Sequence, residues 1–333
     1  MVETTRSRQA NGVTLHPLDP DDAPITAAMR AAVSASKGVT QGIEARGQFD
    51  AFMEIVSPRD DVTFDEDTIG GIPGLWVYPP NPQSKAAVLH LHGGWFNFGS
   101  ARAYRHLVGH IAARAGARAF IPDYRLAPEH PFPAATDDVL ACYRGLAEKD
   151  IQRVALTGDS AGGNLALGLA SRITEEGTNN EMLVGAALMS PVTDLTLSGA
   201  SYETRADADP LFTRPQVAAL VRSYLKRADA KDPLASPLVA QLSRMPPIRI
   251  HVGDDEVLLD DSLGFVQRAT AAGADAQADV WMGMPHGFPA SVGRLKASAQ
   301  ALDAIGAFLA EQLEMAPKGS PHAPATQTRA LDP

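Results

Sequence analysis

The sequence predicts an α/β protein with a doubly wound, mostly parallel sheet covered by helices on both faces, and three observations predict it. Short runs that are apolar throughout, such as AAVLHLH (86–92), RVALTG (153–158) and GAALMSP (185–191), read as strands buried on both sides. They alternate with Ala- and Leu-rich stretches of helical period, as the crossovers of a parallel sheet require. At 154–170, VALTGDSAGGNLALGLA passes from strand character through a glycine-rich turn directly into helix character.

Taken in order, residues 1 to about 20 are polar, lack periodicity and are expected to be loose. ITAAMRAAVSASKG (25–38) and IEARGQFDAFMEIVS (43–57) read as two amphipathic helices lying before any strand, which suggests a cap. DVTFDEDTIGG (61–71) and GLWVYPP (74–80) predict an antiparallel strand pair at a sheet edge, the second ended by Pro79 and Pro80. The alternation then runs strand 86–92, helix 102–116 closed by Gly116, strand 117–124, and helix 134–149 with Asp137 or Asp138 in its first turn. Strand 153–158, the elbow and strand 185–191 follow.

After Pro191 the alternation breaks. TRPQVAALVRSYLKRA (213–228) is a helix with Pro215 near its start, between the loop-like stretches ETRADADP and DAKDPLASP, and reads as an inserted lid. Strand, helix, strand and a closing helix at 292–313 complete the sheet; the Pro-, Ala- and Thr-rich tail is expected to be disordered. The expected organisation is cap helices in 1–60, core in 61–194 and 238–315, cap insertion in 195–237 and a tail in 316–333.

Bulk properties narrow the function. A chain of 333 residues, 45% hydrophobic, is long enough for one large domain with an insertion. A net charge of −10 and a pI near 5.3 argue against nucleic acid or an anionic membrane as partner, since both require clustered cations. One cysteine, Cys142, sits in an apolar run and reads as a buried thiol; it leaves no internal disulfide or cysteine-based zinc cluster, as in a reducing cytoplasm. The first residues lack the apolar run of a signal peptide and no stretch reaches membrane-spanning length, so a cytoplasmic protein is expected.

Gly158, Ser160 and Gly162 form a G-x-S-x-G set at the strand-to-helix junction, the pattern of a nucleophile elbow. A serine hydroxyl is a weak nucleophile at neutral pH and needs a base, and the base needs an acid to fix its tautomer. With chain order Ser, acid, His, the histidines after Ser160 are His251, mid-strand, His322, in the tail, and His286, in the tight loop GMPHGF after the last strand. His286 fits the base. For the acid, VGDDEVLLDDS offers Asp254, Asp255, Glu256, Asp260 and Asp261, with Asp194 outside the cluster; the spacing alone does not choose. The turn HGGW (92–95) ends a strand, and Gly93 and Gly94 there are the expected oxyanion donors, with the backbone of Ala161 as a third. His90 and His92 share one strand face, a spacing that can begin a metal site, but no further ligands lie near in sequence; packing for His90 and loop stabilisation for His92 are expected.

HGGW, DYRLAPEHPFPAA, GDSAGGNLA, DPLASP, GDDEVLLDDS and GMPHGF, in that order, resemble the bacterial hormone-sensitive-lipase-like esterases of the α/β-hydrolase fold, especially the branch with monoterpene lactone hydrolases and small acyl-ester hydrolases. The likeness spans about Gly70 to Leu313. It implies Ser160 as nucleophile, His286 as base, Gly93, Gly94 and Ala161 as oxyanion donors, and Glu256 as acid with Asp255 in reserve, because Glu256-Val257-Leu258 stands where much of the family has Asp-Pro-Leu. Trp95 replaces the family's usual third glycine and is expected to narrow the substrate pocket. The expected function is hydrolysis of short- to medium-chain acyl esters or lactones through an acyl-enzyme. No metal or organic cofactor is implied, the partner is a small-molecule ester, and a homodimer is a family-level expectation. The competing readings are an amidase or acyltransferase on the same triad, and a non-catalytic ligand-binding α/β-hydrolase.

Overall fold

A computed structural model describes residues 7–9, 12–39, 42–177 and 181–314. The predicted tail, with His322, lies outside them. The elements are β1 (Ser7–Gln9), β2 (Val13–His16), α1 (Asp22–Val33), α2 (Arg46–Met53), β3 (Thr63–Ile69), β4 (Ile72–Tyr78), β5 (Gln83–Leu91), α3 (Ala101–Ala115), β6 (Ala117–Pro122), α4 (Ala134–Glu148), β7 (Arg153–Asp159), α5 (Ala161–Glu176), β8 (Leu183–Met189), α6 (Ser201–Thr204), α7 (Arg214–Leu225), β9 (Ile248–Gly253), α8 (Leu259–Ala271), β10 (Ala276–Trp281) and α9 (Lys296–Glu314).

One ten-stranded sheet runs in the order β1-β2-β10-β9-β8-β7-β5-β6-β4-β3. From β2 to β6 every neighbouring pair is parallel; β3, β4 and β1 attach antiparallel at the two ends. The β3–β4 hairpin lies at the edge, where the sequence predicts it. Apolar residues occupy both faces of the central strands because both faces are covered. Along β5, Ala87, Leu89 and Leu91 belong to the core beneath α4, α5 and α8, whereas Ala86 and Val88 belong to the core beneath α3 and α9. Gly116, at φ 61, closes α3 in the left-handed conformation that glycine tolerates best.

The N-terminal segment departs from expectation. Val13–His16 is part of the sheet, parallel to β10 with His16 opposite Trp281, and the two rings stack with centroids 3.9 Å apart. Four residues of alternating polarity carry too little signal to be read as a strand; the exposed edge of β10 supplies the pairing. The following α1 is tied down by its buried Asp22, whose carboxylate accepts the Lys296 and Ala297 N–H groups at 2.8 and 2.9 Å and so caps α9. Helices α6 and α7 form the insertion between β8 and β9. Among the described residues no helix is long and apolar enough to cross a membrane.

Candidate active site

The chain order of the sheet creates the site. From β5 the connections proceed to β6 on one side and then to β7 on the other, and in parallel sheets such a reversal opens a crevice at the carboxyl ends of the strands. The register Leu91↔Gly158 sets the HGG turn after β5 beside the turn after β7.

Ser160 occupies the second turn at φ 53, ψ −120, a strained conformation for a residue with a side chain. Its surroundings hold it there. The Ser160 N–H donates to the Met189 carbonyl at 2.9 Å, and its own carbonyl accepts from Val192 at 3.0 Å. A Cβ on Gly158 would press on the backbone of Gly162, and one on Gly162 would overlap the Leu91 carbonyl of β5, which is why both positions are glycine.

His286 follows β10 between Gly283 and Gly287, both at φ 72. Its Nδ1 lies 2.7 Å from Glu256 Oε2. Glu256 is fully buried, and its other oxygen accepts Ser190 Oγ at 2.6 Å and the Gly253 N–H at 2.7 Å. That carboxylate therefore cannot rotate without breaking three hydrogen bonds. Burial alone would lower the His286 pKa, but the charge and hydrogen bond of Glu256, with Asp209 and Asp159 farther off, leave it above the ordinary imidazole value.

The neighbouring acids are occupied elsewhere. Asp255 pairs with Arg30 of α1. Asp254 accepts the Gly283 N–H, Asp260 that of Ser201 at 2.9 Å, and Asp261 those of Thr193 and Asp194 at 2.7 and 3.0 Å. Asp261 is buried with no cation paired to it among the described residues, and burial pushes its pKa up to about 7. Asp194 bonds the hydroxyls of Thr196 and Ser198. Of the six carboxylates that the sequence leaves open, only Glu256 meets His286.

The oxyanion side requires a correction. The Gly93 N–H is not available, because it donates to Asp159 Oδ1 at 2.9 Å. Tyr104 donates to the other Asp159 oxygen at 3.0 Å, and a Cβ on Gly93 would collide with that carboxylate. Gly93 is thus glycine for close packing. Gly94 and Trp95 have positive φ values of 111 and 52, and neither N–H has an acceptor among the described residues. Ala161, the first residue of α5, presents one of the N–H groups that a helix start leaves unpaired. The N–H groups that remain free to act as donors are those of Gly94 and Trp95, with Ala161 at the start of α5. Asp159 is largely withdrawn from solvent, and desolvation pushes its pKa up to about 6 against the opposing effect of Tyr104, His286 and the Gly93 N–H.

Trp95 is 4% exposed and meets Phe212 of the insertion edge to face, with centroids 5.5 Å apart; Phe212 in turn meets the His286 ring at 5.2 Å. Ser190, Asp159, Asp209 and Phe212 were not among the residues singled out by sequence, and of these only Asp159, inside GDSAG, had a local signal. His90 and His92 are buried and engaged, His90 Nδ1 with Thr157 Oγ1 and His92 Nδ1 with the Gly93 carbonyl, both at 2.8 Å. Burial takes their pKa values down to about 3 and about 4. His251 is buried against Trp281, whose Nε1 lies 3.3 Å from its Nδ1. Cys142 is buried too, with its thiol pKa pushed well up.

A serine elbow after β7, a Glu–His pair on the loops after β9 and β10 and unpaired N–H groups in the turn after β5 are the parts of a hydrolase of the α/β type. Comparison with known proteins agrees with that class. A family model described as the α/β hydrolase fold matches residues 88–290. An acetyl-hydrolase of Streptomyces hygroscopicus is 36% identical over 262 residues, 78% of this chain and 85% of its own length. An esterase of Acinetobacter venetianus is 35% identical over 224 residues, 66% of this chain and 73% of its own. Among solved structures, an esterase from the bacterial hormone-sensitive lipase family has a TM-score of 0.82 at 34% identity, covering 89% of this chain and 99% of that one. EstE5, in crystals soaked with p-nitrophenyl butyrate, gives 0.81 at 36% identity with the same coverage. The chain belongs to the α/β-hydrolase-fold family, beside the bacterial hormone-sensitive-lipase esterases, and is a carboxylesterase.

Proposed function

We propose that this carboxylesterase acts through an acyl-enzyme on Ser160 and prefers esters of short- to medium-chain acids, lactones included. The observation that carries the reading is the 2.7 Å contact between Glu256 and His286 on the edge of the sheet that also bears Ser160. His286 takes the Ser160 proton as the hydroxyl attacks the ester carbonyl, while Glu256 stabilises the imidazolium that forms. The N–H groups of Gly94, Trp95 and Ala161 receive the negative oxygen of the tetrahedral intermediate. His286 then protonates the leaving alcohol, and in the second half of the cycle it activates water against the acyl-serine. For a lactone the leaving alcohol stays attached to the acyl group, so ring opening uses the same two steps.

Support for a small acyl group comes from the Trp95–Phe212 wall beside His286 and from the likeness to an acetyl-hydrolase. A fluorophosphonate should label the folded wild type and not Ser160→Ala, and that substitution should lower turnover by roughly 10⁴-fold or more. A panel of p-nitrophenyl esters from acetate to palmitate should give kcat/KM falling beyond medium chains. Preference for palmitate would overturn the chain-length reading, and labelling of Ser160→Ala would overturn the nucleophile.

A further inference from the structure

We propose that Asp209, in the cap insertion, is a positioning residue for the catalytic pair: one buried carboxylate that ties the lid to the loop bearing Glu256, seats Phe212 against His286 and adds its charge to the field at the histidine. The proposal rests on the reading of His286 as the base.

The geometry begins with two oxygens facing two segments. Oδ1 accepts the N–H groups of Leu211 and Phe212 at 2.7 and 2.9 Å, which fixes the turn from which the Phe212 ring meets His286. Oδ2 accepts the N–H of Val257 at 2.8 Å, the peptide immediately after Glu256. The same junction has a neutral tie. Ser201 Oγ donates to the Val257 carbonyl at 2.5 Å, and the Asp260 N–H donates back to Ser201 Oγ at 3.1 Å. The cap insertion thus grips Val257 by both its N–H and its C=O. From the other side, Arg30 of α1 bonds the Ala208 carbonyl as well as Asp255, and Lys37 bonds the Ala206 carbonyl at 2.5 Å. Both parts of the cap converge on residues 206–209.

Chemistry separates Asp209 from an ordinary turn residue. It is fully buried, and its partners are three neutral N–H groups; among the described residues no arginine or lysine pairs with it. A buried charge without a cation is costly, and an asparagine would close the Leu211–Phe212 turn equally well. What an asparagine could not do is accept from Val257 while also holding that turn, or place a negative charge near the imidazole. The charged groups acting on His286 come from three elements: Glu256 after β9, Asp159 at the end of β7, and Asp209 from the insertion. Asp255, beside Glu256 on the same loop, pairs with Arg30 of α1.

The test is kcat/KM for p-nitrophenyl acetate as a function of pH in wild type, Asp209→Asn, Asp209→Glu and Ser201→Ala, with thermal midpoints in parallel. Loss of a nearby negative charge makes protonated His286 less favourable, so the acid limb of Asp209→Asn should move to lower pH by about 0.5 to 1 unit, with kcat down roughly tenfold. Asp209→Glu should keep the limb at the wild-type position and recover part of the lost kcat. Ser201→Ala loosens the same junction without touching charge, so it should lower the thermal midpoint and leave the limb in place. If Asp209→Asn does not accumulate, Asp209→Ser keeps an oxygen for the turn and reads the same shift. A limb unmoved in the Asn or Ser variant, or moved equally in Ser201→Ala, overturns the proposal. A wild type with no acid limb and no fluorophosphonate labelling would instead overturn the assignment of His286 and Ser160.

Discussion

The two sides of Ser160 are each built around one carboxylate, Glu256 fully buried and Asp159 with its side chain 15% exposed, and the two are anchored differently. On the proposed base side, Glu256 faces His286 with one oxygen while Ser190 and Gly253 hold the other, so in the proposed mechanism its charge is answered by a group that becomes a cation. On the oxyanion side, Asp159 meets the Gly93 N–H and the Tyr104 hydroxyl, with His90 Nε2 3.9 Å away and buried neutral. In that mechanism Glu256 follows the reaction, and Asp159 holds a turn still while it happens. The difference teaches that an acid's place beside Ser160 does not define its role; the donors that satisfy it do.

The largest effect should come from the base side. Glu256→Gln keeps the shape but offers an amide where His286 needs an acceptor in a fixed orientation, and kcat should fall by roughly 10³- to 10⁴-fold in steady-state assays. Asp159→Asn should be milder, roughly tenfold in kcat with little change in KM, because one oxygen still accepts from Gly93 and the displaced donors move by less than a hydrogen bond. An Asp159→Asn loss as deep as that of Glu256→Gln would erase the contrast. The smallest effect belongs to Asp255→Asn. Its partly exposed pair with Arg30 contributes about 1 kcal/mol or less, so kcat should stay within about twofold and only the denaturation midpoint should fall slightly. A collapse of kcat in Asp255→Asn would transfer the acid role from Glu256.

Much of this was legible in the sequence, for physical reasons. Strands buried on both faces must be apolar throughout, so β5, β7 and β8 announced a parallel sheet, and the turns at Ser160 and His286 carry glycines because the backbone there is cramped or left-handed. β2 was not legible, since its strand character comes from the edge of β10. Gly93 was misassigned because its N–H is consumed by Asp159, a contact between strands that are adjacent only in the fold. Ser190 and Asp209 were invisible for the same reason: each acts on Glu256 or its neighbour across a gap in sequence that no local pattern spans. Among the six acids, proximity in sequence was no guide to which one meets His286, because Asp255 and Glu256 point to different elements.

The insertion leaves the sheet after β8 and returns at β9, which is its direct neighbour. Its two ends therefore emerge side by side, and the segment between them is a cassette that a relative of different length could replace without disturbing strand order. Such a graft would be judged at one point: whether the incoming segment brings a carboxylate to the Val257 N–H and an aromatic ring to His286. If Asp209 acts as proposed, exchanging this lid is a matter of transplanting a latch together with its panel.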